Sequence, residues 1–171
     1  MMKLFSATRG AIVALGLSAL YALPVHAQEA PEVTEDVVVG VLKGEGLSTE
    51  VGYDDWTGAP FISSRWEPLK AGFEVTFDAC DEDGFDCGML IFSAGFFFNE
   101  AAKTPAATHE KINEWNINHW GKSFVDDEGT MWITMEVNIS GGASKASLTQ
   151  VMRNFGTAMG EYTDFIGWQA D

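Results

Sequence analysis

The stretch Thr130-Met131-Trp132-Ile133-Thr134-Met135-Glu136-Val137-Asn138-Ile139 alternates with a period of two. Met131, Ile133, Met135, Val137 and Ile139 fall on one face and Trp132, Thr134, Glu136 and Asn138 on the other, because successive side chains of a strand point to opposite sides. A strand with one apolar face belongs in an antiparallel sheet covered on that side. Just upstream, Lys122 to Val125 has strand character, and Asp126-Asp127-Glu128-Gly129 supplies turn residues, so the two strands form a hairpin. Downstream, Gly141-Gly142 breaks the strand and Ser144 begins a helix. In that helix Leu148, Val151, Met152, Phe155, Met159, Tyr162, Phe165 and Ile166 recur at steps of three and four. Such a stripe is the inner face of a helix laid on the sheet.

Upstream, the same reading gives further strands. Leu47 to Tyr53 and Pro60 to Trp66 flank the turn cluster Asp54-Asp55-Trp56-Thr57-Gly58. Phe73, Val75 and Phe77 alternate with polar residues, and the apolar run Met89 to Phe98 predicts a strand buried on both faces. Asp36 caps a short helix through Lys43, with Val38, Val41 and Leu42 on one side, although the β-branched run Val37 to Val39 also suits a strand. Thr104-Pro105 opens a helix ended by Gly121, and Ile112, Trp115, Asn116, His119 and Trp120 share one of its faces. Hairpins separated by helices predict an α+β domain, an antiparallel sheet with helices on one side.

The N-terminus has a different character. Lys3 and Arg9 precede an uncharged apolar stretch from Gly10 to Leu23, then Pro24 and Val25-His26-Ala27, the pattern of a secretory signal over residues 1–27. The stretch is shorter than the roughly 20 apolar residues a bilayer span needs, which leaves an uncleaved anchor as the weaker reading. The mature chain is expected to start at Gln28, with a flexible acidic leader to residue 35 and the folded domain over 36–169. The location expected is periplasmic or secreted, with membrane contact only through the signal segment during export. The chain carries a formal charge of −15, and losing Lys3 and Arg9 takes it to about −17. That acidity argues against nucleic acid and anionic membranes as partners.

Cys80 and Cys87 are the two cysteines, with the six residues Asp81-Glu82-Asp83-Gly84-Phe85-Asp86 between them. In an oxidising compartment such a close pair predicts a disulfide stapling two neighbouring strands, and the spacing is not that of a redox CxxC motif. Asp81, Asp83 and Asp86 resemble a calcium loop in carboxylate density but lack its spacing and terminal glutamate, so a solvated acidic turn is the simpler reading. His109 and His119 lie nearly three helical turns apart, too far to share a metal. Neither a GxSxG nucleophile elbow nor a phosphate loop is present. No catalytic, cofactor or metal residues are assigned.

Lys111-Ile112-Asn113-Glu114-Trp115-Asn116, Phe124-Val125-Asp126-Asp127-Glu128-Gly129, Met135-Glu136-Val137-Asn138-Ile139 and Gly141-Gly142 together resemble the YbjN family, bacterial proteins labelled sensory transduction regulators. Gly58-Ala59-Pro60 and the Cys80/Cys87 pair are similar to its exported members, and the resemblance covers roughly Glu35 to Ile166. It implies a fold similar to type III secretion chaperones, a curved antiparallel sheet with flanking helices that pairs as a dimer and binds proteins. It carries no catalytic motif. The export signal departs from the cytosolic setting of those chaperones, so their specific task does not transfer.

The functional expectation is therefore a non-catalytic exported module that binds a protein partner or acts like a chaperone, with homodimer formation as one mode. Its candidate interaction face is Asn113, Trp115, Asn116, Trp120 and Trp132, since tryptophan is common where partners dock. The competing reading has the two asparagines locking their helix to the neighbouring hairpin. Alternatives in function are a sensory component with a small-ligand cavity, and a hydrolase using a carboxylate such as Glu114 or Glu136.

Overall fold

A computed structural model describes residues 30–82, 84, 86–97 and 105–170. The predicted signal segment lies outside them, as do Gln28, Phe98 and Thr104. The elements are α1 (Glu35–Gly44), β1 (Thr49–Tyr53), β2 (Pro60–Trp66), β3 (Ala71–Asp78), β4 (Met89–Phe96), α2 (Pro105–Asn118), β5 (Lys122–Val125), β6 (Met131–Asn138) and α3 (Lys145–Ile166). The strands make one antiparallel sheet in the order β1-β2-β3-β4-β6-β5. The sheet is open, with β1 and β5 as its edges, and three helices complete an α+β fold.

Strand alternation sorts the sheet into two faces. Ile62, Val75, Phe92 and Met135 form one row across four strands, and Ser64, Phe73, Ala94, Ile133 and Ser123 form the next. These rows face the helices. On α3, Leu148, Met152, Phe155, Met159, Tyr162 and Ile166 are buried, each large apolar side chain being worth about 1.5–3 kcal/mol before entropy. The Phe155 ring sits 5.8 Å from Phe73 and 5.5 Å from Phe92. Ser144 caps α3 by accepting a hydrogen bond from the Ser147 amide at 3.1 Å, and Gly167 ends it in the left-handed conformation. On α1, Val38, Val41 and Leu42 are the buried residues, and Arg153 of α3 reaches Glu45 after α1 through two bonds of 2.9 Å.

Three expectations need correction. β4 is buried on one face rather than two. Leu90, Phe92, Ala94 and Phe96 face the core, while Met89, Ile91, Ser93 and Gly95 are half-buried among their neighbours in the sheet. Its apolar run is longer than its core face because the open side of the sheet also uses apolar residues. α1 is the expected helix, but it starts at Glu35 with Thr34, not Asp36, at the cap position; Glu35 and Asp36 instead lie in the first turn, where they suit the positive end of the helix dipole. The leader is seated from residue 30 onward. The Pro31 carbonyl accepts a hydrogen bond from the Ala143 amide at 3.0 Å, and Val33 joins the core. The carbonyls of Ala30 and Pro31 occupy the space a side chain at Gly142 would fill.

Candidate functional site

The expected interaction face separates into residues spent on architecture and residues left in the open. Trp115 belongs to the first group and is completely buried. Its ring meets Tyr162 edge-on at 4.8 Å, tilts against Phe165 at 5.6 Å, and is covered by the stacked His119 ring at 4.2 Å. Among the described residues its indole N–H has no hydrogen-bond partner. Sequence periodicity placed Trp115 and Trp120 on one face, but α2 ends at Asn118. Trp120 therefore leaves the helical course and stands 76% exposed. Asn113 is exposed on α2.

Asn116 faces the edge strand β5. Its Nδ2 donates to the Ser123 carbonyl at 3.0 Å, and its Oδ1 accepts from the Ser123 amide at 2.7 Å. A primary amide carries the same donor and acceptor as a peptide unit, so this side chain occupies the place a further strand would take. The Ser123 hydroxyl is buried and shares a 2.5 Å hydrogen bond with the Tyr162 hydroxyl. Burial pushes that phenol up to about 12, partly offset by the bond to Ser123. The reading in which an asparagine locks α2 to the hairpin thus holds for Asn116.

Trp132 is fixed on the open face of the sheet. Its indole N–H donates to Asp126 Oδ2 at 2.8 Å, while Asp126 Oδ1 accepts from the amides of Glu128 at 3.0 Å and Thr130 at 2.8 Å. The Trp132 bond and those amides hold Asp126 below the ordinary carboxylate value, against the opposing effect of desolvation. The ring lies parallel to Phe124 at 6.2 Å, and it occupies the space beside Gly95, where a side-chain carbon would come within 3.0 Å of it.

Two exposed residues at this corner escaped the sequence reading. Ile117 is 80% exposed and Phe124 is 45% exposed. Ile117 is apolar yet lies off the buried stripe of α2, a signal present in the sequence. Phe124 was less legible: the pleat turns Ser123 toward Ile133 and the core, so the bulkier neighbour faces outward.

A second feature lies at the end of the sheet. A cleft of about 910 Å³ is lined by the seated leader, Tyr53, Pro60, Phe77, the disulfide hairpin and the Gly141-Gly142 turn. Cys80 and Cys87 are disulfide-bonded. Gly84 at the hairpin tip packs on the backbone of Thr57 and Gly58, and the Gly88 carbonyl accepts from the Ile139 amide at 2.9 Å. The staple therefore braces the hairpin between two other loops. Glu32, Glu35, Asp36 and Asp86 stand on the cleft's walls.

The two carboxylates singled out for hydrolysis are placed otherwise. Glu136 is ion-paired with Lys122 at 2.9 Å on the open face, and Glu114 is exposed on α2. Glu74, raised above its ordinary value by burial, lies in register with Ser63 and Ser93. Among the described residues no group of three or more His, Cys, Asp or Glu side chains is arranged to hold a metal ion, and no helix is long and apolar enough to cross a membrane.

No curated protein matches the sequence. The model of the YbjN family, described as "Putative bacterial sensory transduction regulator", matches residues 34–168. That span takes in all three helices and all six strands, and the chain belongs to the YbjN family.

Proposed function

We propose that this protein is an exported, non-catalytic module that regulates an envelope or sensory process by docking on another polypeptide. The observation that carries this reading is the corner where α2 meets β5. Ile117, Trp120 and Phe124 stand 80%, 76% and 45% exposed there, beside Trp115, Asn116 and Trp132, whose ring and amide groups are already engaged. Exposed aromatics on a rigid support are what a docking surface needs. The disulfide supports an oxidising compartment, and the family's description supports a regulatory role.

Site-specific photo-crosslinking from positions 117 and 124 in cells tests the reading. It should capture the same polypeptide repeatedly, and Trp120→Ser should abolish the capture without lowering the melting temperature. Capture that is indifferent to Trp120→Ser counts against it. Light scattering of the purified protein separates a foreign partner from a second copy, and peptide mapping from the periplasm should show an N-terminus at Gln28.

The cleft favours a second reading, a sensory component for a small ligand. Its volume of about 910 Å³ lies within the roughly 300–1,000 Å³ usual for such sites. A thermal shift confined to one class of metabolite would support it.

A further inference from the structure

The two edges of the sheet are finished differently. In the β5/β6 hairpin the Asp126 amide donates to the Thr130 carbonyl. Counting by twos along the register turns the backbone groups of Ser123 outward, and Asn116 takes both of them. The same count works at the other edge. The Asp54 amide donates to the Ala59 carbonyl at 2.9 Å, so Gly52 and Glu50 bond toward β2 while Thr49, Val51 and Tyr53 turn their N–H and C=O groups outward. Among the described residues nothing bonds to those outward groups. Val51 is 37% exposed, Tyr53 59% and the nearby Trp56 96%.

An open edge with exposed apolar side chains is a template for another strand. Its charge selects the occupant. Glu50 lies on the edge strand, Asp54 and Asp55 follow it, and Glu35 is tied to it by the Tyr53 hydroxyl at 2.9 Å. The ion pairs of the described residues, Arg65–Glu67, Lys122–Glu136 and Arg153–Glu45, use none of these carboxylates. A second copy would bring the same carboxylates to the junction of two chains that each carry −15. A basic segment would neutralise them.

We propose that β1 is a docking edge for an extended, basic segment of another polypeptide, which adds to the sheet as a seventh strand. Alternation suits a segment of cationic and apolar residues in turn: the apolar ones lie on the side of Val51 and Tyr53, the cationic ones on the side of Glu50. This site is separate from the α2–β5 corner and does not depend on it.

Fluorescence anisotropy with a labelled peptide of alternating lysine and valine tests the proposal, with a glutamate–valine peptide as control. Val51→Pro removes an outward N–H while sparing the ladder to β2, because proline is tolerated where an edge N–H faces solvent. The lysine peptide should bind, the glutamate peptide should not, and Val51→Pro should weaken binding by about tenfold or more. Trp120→Ser should leave this binding unchanged whether or not it abolishes crosslinking at the corner. Should Val51→Pro fail to fold, the wild-type protein can be titrated with the lysine peptide N-methylated at alternate residues, which removes strand-pairing donors from the ligand alone. Equal binding of the methylated and plain peptides overturns the proposal. So does a dimer that resists the peptide and dissociates on Val51→Pro.

Discussion

Asn116 shows how one side chain can finish a sheet. Removing its amide leaves the outward amide and carbonyl of Ser123 without their bonds, so Asn116→Ala should cost about 1–3 kcal/mol in urea unfolding. Hydrogen exchange at the Ser123 amide should accelerate in that variant, and an unchanged rate would contradict the edge-closing role. Tyr162 gives a second test through pH. Its phenol ionises near 10.0 ordinarily and is pushed up to about 12 by burial in the fold, so the native state holds the proton more tightly. The stability from this group is complete below pH 10 and is lost as pH rises toward 12. Tyr162→Phe should flatten that alkaline decline in melting temperature, and a decline of undiminished steepness would assign it elsewhere. The sequence shows Asn116 as an amide on a helix near a hairpin, which suffices to suspect a lock. It does not show that Asn113, three residues earlier, stays exposed, because the choice depends on which side of α2 meets β5.

At the scale of elements, α3 contains two glycines with opposite roles. A methyl group at Gly156 would overlap the indole of Trp66, whereas a methyl at Gly160 meets nothing within 4 Å. Helix propensity alone predicts that either change to alanine stabilises by about 0.5–1 kcal/mol. Gly160→Ala should do so. Gly156→Ala should instead destabilise by about 1–3 kcal/mol, the usual penalty for overpacking; thermal or urea melts decide, and equal gains at both sites would deny the Trp66 contact. β6 and α3 were legible because each has a single long period. α1 was ambiguous because its β-branched residues suit either backbone, and the helix prevails by burying Val38, Val41 and Leu42 together. The end of α2 was misplaced, since the sequence signals a stop only at Gly121 whereas the helix ends at Asn118. That shift of about one turn separates Trp120 from Trp115.

For the whole molecule, the sheet and its helical cover follow from alternation and periodicity, and the α2–β5 corner joins neighbouring elements, whereas the cleft depends on loops brought together from distant parts of the chain. The cleft takes walls from the leader, three strand ends, the disulfide hairpin and the last turn before α3, and no local pattern joins them. Replacing Cys80 and Cys87 together by serine should cost about 2–3 kcal/mol on the loop-entropy estimate, and reductant should lower the wild-type melting temperature similarly. A variant as stable as the wild type would mean that the hairpin needs no staple. The Ala30–Pro31 seat beside Gly142 has a consequence for how the protein is handled. One wall of the cavity is made from the leader ahead of α1, so trimming the chain there would enlarge the opening while leaving every strand in place. A bulky fusion attached at that point would press on the same wall, whereas a label on the last residues, beyond α3, would leave the cavity's shape alone.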